Sequence, residues 1–302
     1  MVRKESALKR NAKKRLYFYL FAAPGLIGFV ILSVYPVIYS FILSFTNRRL
    51  LYPGTEKFIF LDNYIYLFTK DPDFWDSFGN SMLYAASTVL LTNFIAILMA
   101  VLLSKQMRGR SVFRTIFYIP SILPSVATII MFGFIFDVNN GVINNVLLML
   151  GVPRNELPLW LTHSQSALPT LIIMSCWAFG GKAIIYLAGI NGISKSLYEA
   201  ASIDGARPVR VFFSITLPLL TPSIFYNLIM SSIGGIQVFN EGLIATGNVK
   251  QFYVVKLYRM AYINQPYLLG RASAMAWALF LVIMIFTALN FFVSKYYVRY
   301  GE

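Results

Sequence analysis

Residues 196–218 read SLYEAASIDGARPVRVFFSITLP, a polar stretch set between two long apolar runs. Ser196 followed three positions later by Glu199 has the spacing of a capping box, in which the hydroxyl accepts from an orphan amide and the carboxylate reaches back to the cap. Ala200 and Ala201 favour continuation of the helix, Gly205 can end it in the left-handed conformation, and Pro208 suits the first turn of a second helix. The segment therefore reads as a short capped helix, a turn centred on glycine, and re-entry into an apolar run. From these residues alone two roles stay open: a rigid handle for another protein, or an elbow docked on its own helices.

Working outward, the flanks decide the fold class. Of 302 residues, 58% are hydrophobic and 13% charged, against about 25% charged in a soluble domain. No Asp, Glu, Lys or Arg occurs in 16–47, 77–104, 115–136, 157–181, 211–240 or 272–294. Each run exceeds the ~20 residues a helix needs to cross a bilayer, and buried strands of soluble α/β proteins are far shorter. In lipid the backbone must satisfy its own hydrogen bonds, so these runs are helices. The alternating segments of a membrane β-barrel are absent. The expectation is an all-α integral membrane protein with six spans near 16–46, 78–103, 113–136, 166–190, 211–237 and 272–295. A basic segment, 1–15, precedes them, and the loop 191–210 joins the fourth span to the fifth.

Orientation follows from the flanking cations. The side holding the N-terminal segment, the Lys105–Arg114 region, the quoted segment and the C-terminal tail carries 16 Lys and Arg, against nine on the other side. Both termini and 191–210 are thus expected in the cytoplasm. The net charge of +14 is concentrated at span ends, which argues for membrane topology and anionic lipid rather than nucleic acid. The N-terminus imitates a signal peptide, but its apolar run is too long for a signal core and reads as a retained first helix. VINNVLLMLGV at 142–152 reads as a short helix too short to span, lying at the interface or packed on the bundle. Pro120 and Pro124 should bend or break the third span.

The chemistry of many function classes is missing. Cys176 is the only cysteine and His163 the only histidine, so neither a zinc cluster nor a Cys/His nucleophile pair can be assembled. Gly180-Gly181-Lys182-Ala183 lacks the residues of a phosphate-binding loop, which places any nucleotide hydrolysis on another polypeptide. No carboxylate pair lies within the spans, against a proton-coupled carrier. Lys182 lies eight residues before Ile190, about 12 Å along a helix; it either faces a cavity or snorkels to the headgroups. Asn227, Ser231 and Gly235 share one helical face, which either packs on another helix or lines a path.

The segment resembles a known signature. Glu199-Ala200-Ala201, Asp204-Gly205-Ala206 and Ile215-Thr216-Leu217-Pro218 are similar to the EAA motif of membrane subunits of binding-protein-dependent ABC importers. Tyr35-Pro36-Val37, Ser44-Phe45-Thr46, Asn63-Tyr64, Pro120, Gly141-Val142-Ile143-Asn144, Trp160-Leu161 and Leu187-Ala188-Gly189 look like the sugar-permease branch, of MalF and UgpA type. Two positions depart from that pattern: Ser194 stands where proline is usual, and Gly247-Asn248-Val249 where Gly-Gly-Pro often stands. The resemblance implies a type I importer permease whose coupling helix, carried by Ser196, Leu197, Glu199, Ala200, Ala201, Asp204, Gly205, Ala206 and Arg207, sits in a groove of a separate ATPase. It implies a solute pocket near mid-membrane with Ser175, Trp177, Lys182, Asn227, Ser231 and Gly235 as candidate lining residues. The implied partners are a second permease, two copies of a cytoplasmic ATPase that holds ATP and Mg, and an extracytoplasmic solute-binding protein, at a bacterial or archaeal inner membrane. The implied cargo is a sugar or oligosaccharide, an acidic one if Lys182 faces the pocket. The rivals are an importer of another solute, such as a phosphorylated polyol, and a stand-alone channel or carrier.

Overall fold

The computed structural model describes residues 17–105, 107–247 and 249–298. The basic segment 1–15, Asn248 and Arg299 lie outside the described residues. The described elements are helices: α1 Tyr17–Ser44, α2 Asp62–Thr69, α3 Phe74–Ser104, α4 Arg110–Ile122, α5 Ser125–Ile135, α6 Val142–Met149, α7 Ser164–Ala178, α8 Gly180–Asn191, α9 Lys195–Ile203, α10 Pro208–Leu219, α11 Thr221–Ala245, α12 Tyr253–Tyr262 and α13 Leu269–Tyr297. No strand occurs among the described residues beyond the isolated bridge between Thr46 and Phe58. Four helices, α1, α3, α11 and α13, are long and apolar enough to cross a membrane, and counting the bent pairs α4/α5 and α7/α8 as one span each gives six.

Proline shapes several of these helices. In α1 the turn Val30–Val34 widens to π geometry immediately before Pro36, with the Tyr35 amide reaching back to the Val30 carbonyl. In α10 the turn Phe212–Thr216 does the same before Pro218. A proline ring collides with the carbonyl four residues back, and one widened turn moves that carbonyl aside. Pro124 forces the preceding Leu123 into extended geometry, ψ 142°, and α4 and α5 meet there at 98°. The expected break of the third span is therefore a full corner.

The chain forms two compact units, the stretches up to Lys70 and Met260–Ala278 in one, Asp71–Arg259 and the part from Leu279 onward in the other. In the first, Asn63 Nδ2 donates to the carbonyls of Ser44 and Thr46 at 2.8 Å each, and the Tyr64 hydroxyl donates to Ser44 Oγ at 2.9 Å. α2 is thereby clamped to the end of α1. In the second, α3 packs along α8 and α11. Ala96, Ala100 and Ala183 are buried there with Tyr186, Leu187 and Leu220; small side chains let the backbones approach, the main source of attraction between helices in lipid. Asn144 of α6 is fully buried, accepts from the Trp160 indole at 2.7 Å and donates to the Val138 carbonyl at 2.9 Å, so α6 is pinned by a polar side chain.

The fifth span starts a few residues earlier than expected, at Pro208 rather than 211. The helix breaks at Leu220, resumes at Thr221 and runs to Ile236, capped by Gln237, beside the expected end at 237. After the non-helical residues 237–239, a separate π turn, Glu241–Ala245, completes α11.

Candidate functional site

The first site is built around a break. α7 and α8 bend by 46° at Phe179, and a Cβ on Gly180 would fall on the Phe117 carbonyl of α4, so only glycine allows this crossing. One turn on, Lys182 turns inward and its Nζ donates to Thr92 Oγ1 of α3. Thr92 Oγ1 donates to the Thr88 carbonyl at 2.6 Å, and Thr88 Oγ1 to the Tyr84 carbonyl at 2.8 Å, so both hydroxyls keep lone pairs free. Tyr84, Thr88, Thr92, Ser175, Lys182, Ser231, Gly235 and Glu241 line a cavity of about 240 Å³. A neighbouring cavity of about 310 Å³ shares Tyr84, Ser175 and Glu241 and adds Trp177, Ser121 and Ser125.

Among the residues expected on the path, Ser175, Lys182, Ser231 and Gly235 meet in one cavity and Trp177 lines the next. Asn227 lines neither; it is 2% exposed. Gly235 does both things its position allowed: it lines the cavity, and a Cβ there would meet Ala85 Cα at 3.0 Å. Behind Ser231, Asn93 Nδ2 approaches Ser231 Oγ at 3.4 Å and Asn93 Oδ1 accepts from the Tyr186 hydroxyl at 2.6 Å. Sequence reasoning missed Tyr84, Thr88 and Thr92, although their spacing of four puts them on one helical face. It also missed Glu241, which starts a π turn, Glu241–Ala245.

The second site is α9. Ser194, at φ −58° and ψ 131°, occupies the cap position, and no side chain caps the helix. The expected capping box is not formed: Ser196 lies inside the helix, its hydroxyl 2.7 Å from that of Ser194, and a cap must stand in non-helical geometry before the first turn. The C-terminus matches expectation. Gly205 has φ +67°, the Ala206 amide bonds the Ala201 carbonyl at 2.9 Å and the Asp204 amide the Ala200 carbonyl at 3.0 Å, the pattern of a left-handed glycine stop. Arg207 precedes Pro208, which opens α10. Ala201 is buried, and the Tyr198 hydroxyl lies 3.1 Å from Thr216 Oγ1, so one face of α9 is docked on α10. Glu199, Ala200 and Asp204 are exposed, and Leu197 and Ile203 present apolar surface outward, Ile203 at 88% exposure.

Residues 92–299 match the family model described as binding-protein-dependent transport system inner membrane component. The chain belongs to this family. The matched region contains every candidate residue named from the sequence. This inner membrane component is 39% identical over 293 residues to the probable ABC transporter permease protein YesP of Bacillus subtilis, covering 95% of this chain and 93% of that protein. It is 31% identical to the arabinooligosaccharides transport system permease protein AraP of the same organism, covering 96% and 94%. It is 33% identical to the sulfoquinovosyl glycerol transport system permease protein SmoG of Agrobacterium fabrum, covering 91% and 89%. Its fold is that of a chain in the crystal structure of a bacterial ABC transporter that imports alginate: TM-score 0.83 at 22% identity, covering 97% and 100%. It is a multi-pass permease subunit of an ABC transporter in the inner membrane.

Proposed function

We propose that this permease forms half of the path for a sugar or oligosaccharide in an ATP-driven, binding-protein-dependent importer, completed by a second permease. Two cytoplasmic ATPase subunits, which hold ATP and Mg, and an extracytoplasmic binding protein complete the assembly. The observation that carries the cargo reading is the cavity lined by Thr88, Thr92, Ser175, Ser231, Lys182 and Glu241 within apolar helices. Hydroxyl oxygens with lone pairs left to accept, a cation that donates and a carboxylate that accepts suit a polyol surface, and the Trp177 ring next door offers a face to C–H groups. Lys182 also supplies the positive charge that an acidic sugar requires. The arabinooligosaccharides and sulfoquinovosyl glycerol for which the relatives AraP and SmoG are named support the same reading.

The loop 191–210 and both termini lie in the cytoplasm in this reading. Closure of the ATPase pair displaces α9, and the Tyr198–Thr216 contact passes the displacement to α10 and on to α11, which bears Ser231, Gly235 and Glu241. The test is uptake into proteoliposomes containing both permeases, the ATPase and the binding protein, with neutral and uronate-containing oligosaccharides. ATP-dependent uptake of one of these, weakened by Lys182→Met, is expected; uptake that persists without the ATPase would overturn the importer reading.

A further inference from the structure

Behind α9 lies a cavity of about 470 Å³ set between Ser104 and Lys105 at the end of α3, Lys195 and Tyr198 of α9, and Phe212 and Thr216 of α10. Among the described residues the two lysines are its only charged lining residues, and neither forms an ion pair. Glu199 and Asp204, the acids of α9, do not line it. α9 begins in its wall with no side-chain cap, which leaves the first amides of that helix without a side-chain acceptor.

Pro208 and Phe212 also line a second groove of about 500 Å³, walled by Phe94, Leu98, Val209, Phe213 and Leu217 and bearing no charged residue. Val209 and Phe213 are 68% and 60% exposed. A cationic chamber thus lies next to an apolar slot, with Pro208 and Phe212 in the walls of both, at the span ends that carry the excess of Lys and Arg. Each half favours a different part of an occupant: the exposed lysines attract an anion that would leave the slot unfilled, and the slot takes an apolar group that would leave that attraction unused. One molecule satisfies both.

We propose that an anionic phospholipid occupies this pair of cavities, its phosphate headgroup between Lys105 and Lys195 and an acyl chain against Val209, Phe213 and Leu217. The bound lipid braces the turn from Gly205 to Pro208, where α9 passes into α10. The site is independent of the cargo, and its test does not involve transport.

The transporter with its partner subunits is reconstituted in nanodiscs containing phosphatidylcholine and phosphatidylglycerol, and lipid retained after release is counted by native mass spectrometry. Wild type is expected to retain phosphatidylglycerol over phosphatidylcholine. Lys105→Gln with Lys195→Gln lowers that retention roughly thirtyfold, the combined attraction of two surface cations. Phe213→Ser also lowers it with both lysines in place. Should the double variant not assemble, Lys105→Gln alone, at an exposed position, gives the same reading with a smaller effect. Equal retention of the two lipids, or undiminished retention in the lysine variants, overturns the proposal. Displacement by inorganic phosphate with no effect of Phe213→Ser overturns it in favour of a small-anion site.

Discussion

Lys182 and Glu241 are the two charged side chains of the central cavity, and each makes a separable prediction. Lys182→Met removes the donor to Thr92 and a charge from the cavity; uptake by the reconstituted importer should show at least a tenfold weaker apparent affinity, about the loss of one hydrogen bond to a charged group. Glu241→Gln keeps shape and hydrogen-bonding capacity, so an effect on acidic and neutral cargo of opposite sign would identify its charge as a selectivity element. Gly205→Ala places a Cβ at φ +67°, at a cost of about 1–2 kcal/mol, and should loosen α9 without preventing insertion, read as faster hydrogen exchange across Lys195–Ile203. The glycine at 205 was legible because a stop needs a positive φ and few residues tolerate one. The cap was not: Ser194 and Ser196 are chemically equivalent candidates, and only the dihedral angles of the folded chain choose between them.

At the scale of elements, the anchoring of α12 is the clearest energetic case. Lys256 is paired with Asp71, both side chains 7% exposed, while the Asp73 carboxylate stands 4.0 Å away in solvent. Removing one member strands a buried charge, which costs about 3–5 kcal/mol. Lys256→Met should therefore lower the thermal unfolding midpoint of the purified subunit markedly. Lys256→Met with Asp71→Leu, which leaves neither charge, should recover much of the loss; no recovery would mean the pair matters through packing alone. The sequence showed Asp71 and Lys256 only as members of charged loops, because their contact spans 185 positions and leaves no local pattern. Breaks in helices were easier to see. Pro124 restricts Leu123 before any tertiary contact forms, and Gly180 is a gap that another backbone fills. The π turns ahead of Pro36 and Pro218 follow from the same proline clash, yet the sequence alone offers a bend, a break or a widened turn as equal solutions.

For the whole molecule, runs without charge located the membrane helices, since lipid penalises an ionised side chain wherever it is exposed to hydrocarbon. The same criterion gave no hint that Glu241 lines a cavity, because hydropathy reports contact with lipid and says nothing about a face turned to a cavity. The lining face of α3 was likewise hidden: Tyr84, Thr88 and Thr92 are compatible with lipid, with packing or with a path until a neighbour is in place. The cation distribution predicts that cysteines placed at Ile203 and Asn139, in a Cys176→Ala background, react with an impermeant maleimide only from the cytoplasmic and extracytoplasmic sides respectively. In the proposed importer α9 receives force from a separate ATPase. The most direct measurement is crosslinking from a cysteine at Ile203 in the assembled transporter, with and without ATP. A crosslink to the ATPase subunit is expected in both states; capture of lipid alone, or of the permease's own helices, would rule out force transfer through α9.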